Sequence, residues 1–285
     1  MPNAFITGAA VGQGNLIAKK LAARGWRVFA GVLPGAETDL AGVSGVTLVE
    51  QDVSNFESVR ASAAIVSEAL NGEPLQVLMN VAGVANIATG VLEGVELEKL
   101  QTLFAINTFG QLAVCQAFLP MLRAAGKDGK ILNFGSGAVV ANPPGAGAYN
   151  MSKHAVHGLT MTLRLELAPF GTQVTSIWPG AVKTAMTENS REVTAAVWKR
   201  MPEAVQKAYE PLRAGLCEEL PNMIEKYGNT ADYVTDEVLK LLDRAYYKPY
   251  YLVGKDAKPL GPMYEWLPNS LFETIIRKSY KVAKA

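Results

Sequence analysis

Cysteine and histidine are both scarce. Only Cys115 and Cys217 occur in 285 residues, far apart and without CxxC spacing, so neither a disulfide framework nor a zinc site is expected. The two histidines, His154 and His157, share one segment, which leaves histidine-based metal centres and serine-hydrolase triads short of parts. Around Ser136 the glycines of a nucleophile elbow are missing, with Phe134 and Ala138 in their places. An excess of charge of either sign is missing too: the formal net charge is +1, which argues against nucleic acid as a partner. No apolar run approaches the roughly 18 residues that read as a bilayer span. The first strand is expected within a few residues of Met1, which leaves no room for a signal peptide, and a cytoplasmic protein is the expectation. Repeats and low-complexity linkers are absent. With 49% hydrophobic residues the chain has material for one substantial core, so residues 1–285 are expected to form a single domain.

What the sequence does have is a regular alternation of short apolar runs with helical patterns. Strands are expected at about Asn3 to Thr7, Arg27 to Val32, Val46 to Val49, Leu75 to Met79, Lys130 to Gly135, Gln173 to Trp178 and Tyr250 to Val253. Several are continuously apolar, as strands covered on both faces are, and the βαβ order implies an α/β fold with a doubly wound parallel sheet of about seven strands. Ligands of such sheets bind at the carboxyl ends of the strands, where Thr7, Asn80, Ser136 and Pro179 fall.

Two segments carry chemistry. The first, AFITGAAVGQG, is a strand followed by Thr7, Gly8, Gly12 and Gly14 and then by a helix from about Asn15 to Arg24. Glycines allow a tight turn and close backbone approach, and the helix N-terminus offers free N–H groups to a pyrophosphate. The second, AYNMSKHAV, spaces Tyr149 and Lys153 four residues apart, thirteen residues beyond Ser136. On a helix an i,i+4 pair shares a face, and a cation beside a phenol favours the phenolate, lowering a pKa that is ordinarily about 10. Such a phenol is a usable acid and base toward an alcohol oxygen, which Ser136 could also hydrogen-bond.

Together these residues resemble the short-chain dehydrogenases/reductases, and the resemblance runs over most of the chain. The TGxxxGxG turn corresponds to Thr7 to Gly14, and the asparagine-alanine-glycine strand end to Asn80-Val81-Ala82-Gly83, with Val81 where the family has a second asparagine. The family's catalytic asparagine, serine and YxxxK pair correspond to Asn107, Ser136, Tyr149 and Lys153, and its proline-glycine turn with a following threonine to Pro179, Gly180 and Thr184.

The resemblance implies a Rossmann-type domain that transfers hydride between a nicotinamide cofactor and an alcohol or ketone. It implies that Tyr149 exchanges the proton, that Ser136 orients the substrate oxygen, and that Lys153 binds the nicotinamide ribose and depresses the tyrosine's pKa. Asn107 would hold a water linking the lysine to solvent, and Thr184 with the backbone near Val182 would fix the carboxamide. Other cofactor contacts are expected from Val32, Asp52, Val53, Asn80, Ala82 and Gly83; no metal is expected. No acid stands at Val32, the position that commonly reads the adenosine ribose, but no Lys or Arg occurs from Val28 through Val59 and Val11 stands where NADP-preferring relatives often carry a basic residue. NAD is therefore the expected cofactor, with NADP the alternative.

Segments outside the motifs bear on the substrate. Residues from about 185 to 227 are expected to form a helical lid, with Trp198, Met201, Val205, Tyr209, Leu212, Leu216 and Leu220 recurring at helical intervals, mostly as packing. Pro143-Pro144-Gly145 with Val139 and Asn142 is expected to line the opposite wall. VFAGVLPGAE and the C-terminal extension, about 254–285, resemble the hydroxysteroid and retinol dehydrogenase branch, which implies a small apolar secondary alcohol or ketone, steroid-, retinoid- or aryl-carbinol-like. The C-terminal helix sets Leu271, Ile275 and Ile276 against Arg277, Lys278, Lys281 and Lys284, the pattern of a solvated basic tail or subunit contact, with membrane-surface contact as the alternative. Helices at about Leu97 to Ala125 and Tyr149 to Pro169 are those through which family members associate, so a homodimer or homotetramer is expected. The alternatives in function are an epimerase or dehydratase on the same fold, or a dinucleotide sensor without turnover.

Overall fold

The computed structural model describes residues 1–184, 187 and 189–282. Ala185, where the lid is expected to open, and Lys284 of the basic tail lie outside the described residues, as does the side chain of Leu220.

Strands β1 (Asn3–Ile6), β2 (Arg27–Val32), β3 (Val46–Glu50), β4 (Val77–Asn80), β5 (Lys130–Phe134) and β6 (Gln173–Pro179) are followed by the short pair β7 (Val182–Lys183) and β8 (Asn229–Thr230), and then by β9 (Tyr250–Val253). Seven of them form one parallel sheet in the order β3-β2-β1-β4-β5-β6-β9, and β7 pairs with β8 apart from it. The chain reverses its direction of winding between β1 and β4, which opens a crevice at their carboxyl ends. β1 and β4 are buried along their whole length, as their apolar sequences require, whereas β3, at the sheet edge, exposes Thr47, Leu48 and Glu50. β4 begins two residues later than expected because the Leu75 N–H turns to the Met121 carbonyl, outside the sheet.

One sheet face is covered by α1 (Gly12–Ala23). The other carries α2 (Phe56–Leu70), then a continuous helical stretch made of α3 (Leu97–Phe104), a π-helical turn (Ala105–Phe109) and α4 (Gly110–Ala124). After the short α5 (Ala138–Ala141), α6 (Gly147–Glu166) lies beside α4 on that face. Sequence explains α2 fully. The Asn55 side chain accepts from the Glu57 and Ser58 N–H groups and starts it; Val59, Ala63, Val66 and Leu70 bury one stripe; Asn71, at a φ of 47°, stops it. That stripe packs on Phe5, Phe29 and Leu78 of the sheet, where each fully buried large apolar side chain contributes about 1.5–3 kcal/mol.

Leu97–Ala124 is, by length and composition, a helix that could cross a membrane. Here it packs on the sheet and buries Asn107, Gln111, Val114 and Phe118, so its apolar character serves the core. Met161 and Leu165 are exposed, and α6 turns Ala148, Ser152, Lys153, Val156, Thr160 and Leu163 inward.

Among the described residues of the segment expected to form the lid are α7 (Ser190–Arg200), α8 (Glu203–Tyr209), a second π turn (Gly215–Glu219) and α9 (Leu220–Tyr227). Its Trp198, Met201, Val205 and Leu216 bury one another around Val91, as the packing expectation had it. From α9 the chain returns through β8 and α10 (Ala231–Leu239), whose Val234 and Val238 join Ile17 and Leu21 of α1 in a single core. The C-terminal extension forms α11 (Leu260–Trp266) and α12 (Asn269–Ser279).

Candidate active site

The glycine turn comes first in the chain and shapes the crevice. The Thr7 hydroxyl accepts hydrogen bonds from the N–H groups of Val81 and Ala82, at 3.0 and 2.9 Å, and so ties the end of β1 to the end of β4. Gly8 packs so closely on Ala82 that an added Cβ would lie 2.7 Å from the Ala82 Cα. Gly12 has a φ of +64° with nothing within 4 Å of where its Cβ would be, and α1 begins there without a side-chain cap. Uncapped N–H groups beside an open, glycine-walled concavity fit an anionic pyrophosphate. Gly14 has no room for a Cβ against the Gly8 carbonyl.

Asn80, expected among the cofactor contacts, turns its side chain elsewhere. Its Nδ2 donates to Asn133 Oδ1 at 2.9 Å and to Cys115 Sγ at 3.2 Å, and Asn133 donates on to Thr160 Oγ1 at 3.0 Å. This buried chain cross-links β4, β5, α4 and α6. Thr7 is likewise a support, 1% exposed with its hydroxyl committed. Val32 and Val53 are buried at the ends of their segments, and Asp52 Oδ1 accepts from the Ser54 N–H and hydroxyl.

On the other side of the crevice Tyr149 occupies the first turn of α6, half-buried, with Ser136 beside its phenol. Lys153, one turn on, is 4% exposed and donates to the Phe134 carbonyl at 2.8 Å, with its Nζ 5.7 Å from the centre of the Tyr149 ring. Burial pushes the lysine down to about 8. Burial also pushes the Tyr149 phenol up, and the Ser136 hydrogen bond opposes that rise only in part. The expected depression of the tyrosine by Lys153 is therefore corrected: the ammonium is spent on a carbonyl, and desolvation outweighs what remains.

Asn107 sits on the π turn and clamps Val84 from both sides. Its Oδ1 accepts from the Val84 N–H at 2.8 Å, while its Nδ2 donates to the Val84 carbonyl at 2.8 Å and to Ser152 Oγ at 3.1 Å. With both side-chain atoms engaged, the expected water contact is left to the Asn107 backbone, in a wide turn of a kind often met at functional sites. Gly83 makes the approach possible: a Cβ there would lie 3.2 Å from Asn107 Oδ1 and 3.4 Å from Lys153 Nζ. Sequence reasoning missed Val84 and Ser152, because their roles are set by a partner helix.

Beyond β6 the chain runs through Pro179, Gly180, Val182 and Thr184. Thr187 braces this segment, its Oγ1 donating to the Val182 carbonyl at 2.8 Å and accepting from the Thr184 N–H at 3.0 Å. Thr187 was not foreseen. A cavity of about 610 Å³ opens beside Thr184, bordered by Lys183, Thr187, Ser190, Arg191 and Ile224 of β7 and the lid. The opposite wall, at Gly145, touches Leu216 of the lid.

A crevice at the sheet's switch point, a glycine turn under a free helix end, and a Ser-Tyr-Lys cluster with a buried lysine are the layout of a nicotinamide-dependent oxidoreductase. The chain belongs to the short chain dehydrogenase family, whose model matches residues 2–195. It is 33% identical over 279 residues to retinol dehydrogenase 16 of Homo sapiens, covering 95% of this chain and 86% of that one. It is 31% identical over 280 residues to 17-beta-hydroxysteroid dehydrogenase type 6 of Rattus norvegicus, with the same coverage. Among solved structures, a short chain dehydrogenase from Burkholderia cenocepacia J2315 in complex with NADP superposes with a TM-score of 0.73 at 25% identity, covering 96% of this chain and 97% of that one.

Proposed function

We propose that this protein is an NAD-preferring dehydrogenase of apolar secondary alcohols, and in reverse a reductase of the ketones, with steroid- or retinoid-like molecules as the substrate class. The observation that carries the reading is the placing of Ser136 beside the Tyr149 phenol, with buried Lys153 one turn away on the same helix. The bound nicotinamide supplies or accepts the hydride. Gly12, Gly14 and the start of α1 would hold the pyrophosphate, and Val32, Asp52 and Val53 the adenosine end. The backbone at Asn80, Ala82 and Gly83, together with Lys153, would hold the ribose, and Pro179, Gly180, Val182 and Thr184 the nicotinamide end. Tyr149 gives its proton to a ketone oxygen or takes one from an alcohol, and Ser136 fixes that oxygen through its hydroxyl. Lys153, its proton loosened by burial, restores the tyrosine's protonation state.

An apolar substrate suits the lid, whose inner cluster of Trp198, Met201, Val205 and Leu216 excludes water. It suits also the relatives named above, a retinol dehydrogenase and a 17-beta-hydroxysteroid dehydrogenase. NAD is favoured because a 2′-phosphate would find no Lys or Arg between Val28 and Val59, and an unpaired dianion beside a closed site is costly. We propose further a cytoplasmic homodimer or homotetramer, joined through the outer faces of α3–α4 and α6, a reading supported by the exposure of Leu97, Phe109, Met161 and Leu165 there.

The test is a panel of steroid, retinoid and aryl carbinols, followed by NADH absorbance, with each hit repeated in NADP. Turnover is expected with higher kcat/KM for NAD, and Tyr149→Phe is expected to lower kcat by about 10²–10⁴-fold. Undiminished turnover in Tyr149→Phe defeats the mechanism, and a clear preference for NADP defeats the cofactor assignment.

A further inference from the structure

The turn after β6 is held from behind by two side chains that the mechanism does not use. Asp256, just past β9, accepts from the Ala181 N–H through Oδ2 at 2.8 Å. Its other oxygen accepts from Asn229 Nδ2 at 2.6 Å. Asn229, 6% exposed, also donates to the Ala181 carbonyl, through Nδ2 at 3.0 Å and through its backbone N–H at 2.8 Å. Its remaining oxygen is fixed by the Lys255 N–H at 2.8 Å. Both backbone groups of Ala181 are thus pinned, its N–H by a carboxylate and its carbonyl by an amide that the same carboxylate orients.

Two glycines make room for this clamp. A Cβ on Gly180 would strike the Asp256 carboxylate, and one on Gly254, where φ is +127°, would lie 2.7 Å from Asp256 Oδ1 and 2.8 Å from Asn229 Nδ2. A carboxylate that accepts two N–H bonds in a crowded pocket is a charge-assisted anchor, and its loss strands two donors. The pinned peptide immediately precedes Val182 and Thr184.

We infer that Asp256, acting through Asn229 and the Ala181 peptide, is a positioning residue for the nicotinamide half of the site. The inference rests on the dinucleotide reading above. It has a signature that general stability lacks: the clamp acts on one end of the cofactor only. The adenosine diphosphate end would be held by the glycine turn and the start of α1, which Asp256 does not touch.

The experiment measures the Kd of NADH and of ADP-ribose, which lacks the nicotinamide, by calorimetry on the full chain and on Asp256→Ala. The clamp predicts that NADH affinity falls about tenfold while ADP-ribose affinity is unchanged. With a substrate in hand, kcat falls about 10- to 100-fold while the substrate KM holds, as expected when a reacting group is misplaced. Asp256→Asn, which keeps an oxygen for the Ala181 N–H, recovers part of the loss and serves in its own right if Asp256→Ala does not fold. An unchanged ratio of the two Kd values, or equal weakening of both ligands, overturns the clamp alone. Wild-type protein that binds neither ligand overturns the dinucleotide reading and the clamp with it.

Discussion

Tyr149 and Lys153 show how far a four-residue spacing can be read. The sequence places the phenol and the amine on one helix face, and α6 carries them so. It does not say how dry that face is, and dryness decides the charge: Lys153 is buried and Tyr149 half-buried, and desolvation pushes the phenol up and the amine down to about 8. This has a consequence for stability. Lys153 is lowered from 10.5, so below about pH 8 the folded protein carries a buried charge at full cost; between about 8 and 10.5 the folded state has released a proton that the unfolded state still holds, and stability rises with pH. Lys153→Met removes that rise. It also leaves the Phe134 carbonyl satisfied, since Gln111 Nε2 donates to it at 3.2 Å. Thermal denaturation from pH 7 to 10 is expected to show a Lys153→Met variant at least as stable as wild type at pH 7, with a flatter profile and severely reduced kcat. A profile as steep as wild type removes Lys153 as its source. Asp256 and Asn229 were invisible to sequence reading for a related reason: Asp256 reaches a partner 75 residues away, and no local pattern encodes that contact.

Elements were more legible where one period governs them. The seven sheet strands fall within a residue or two of their expected places, because runs buried on both faces announce themselves. The helix from Leu97 was foreseen at its full length, but the π turn inside it was not. Its wide register follows from Asn107 reaching across to Val84, a demand made by another part of the chain. Gly83 lies at that meeting. Gly83→Ala would press a methyl group against the tips of Asn107 and Lys153, and kcat is expected to fall about tenfold with a loss of about 1–3 kcal/mol in stability. Gly158→Ala is the control. It lies on α6 with open space at its Cβ, and it is expected to be neutral or stabilising by up to about 1 kcal/mol. Equal behaviour of the two variants in kcat and melting temperature would show that the crowding at Gly83 is without effect.

At the scale of the whole molecule, strand order and crevice followed from the βαβ succession, whereas the build of the lid did not, since its helices are short and packed by side chains whose partners lie on the Val91 loop. Self-association is testable at this scale. Phe109 and Leu165 are 53% and 78% exposed, so Phe109→Arg with Leu165→Arg is expected to leave folding intact and to reduce the sedimenting species to the 30.5 kDa chain. An unchanged sedimentation coefficient moves the contact to another surface. The parallel sheet has one more consequence. With every strand running the same way, reactive groups gather at one pole, while Met1, Glu73, Lys127 and Lys248, which lie just before or between strands, mark an inert one. Tethered to a solid support through that inert pole, the enzyme would turn its mouth outward, ready for use as an immobilised catalyst.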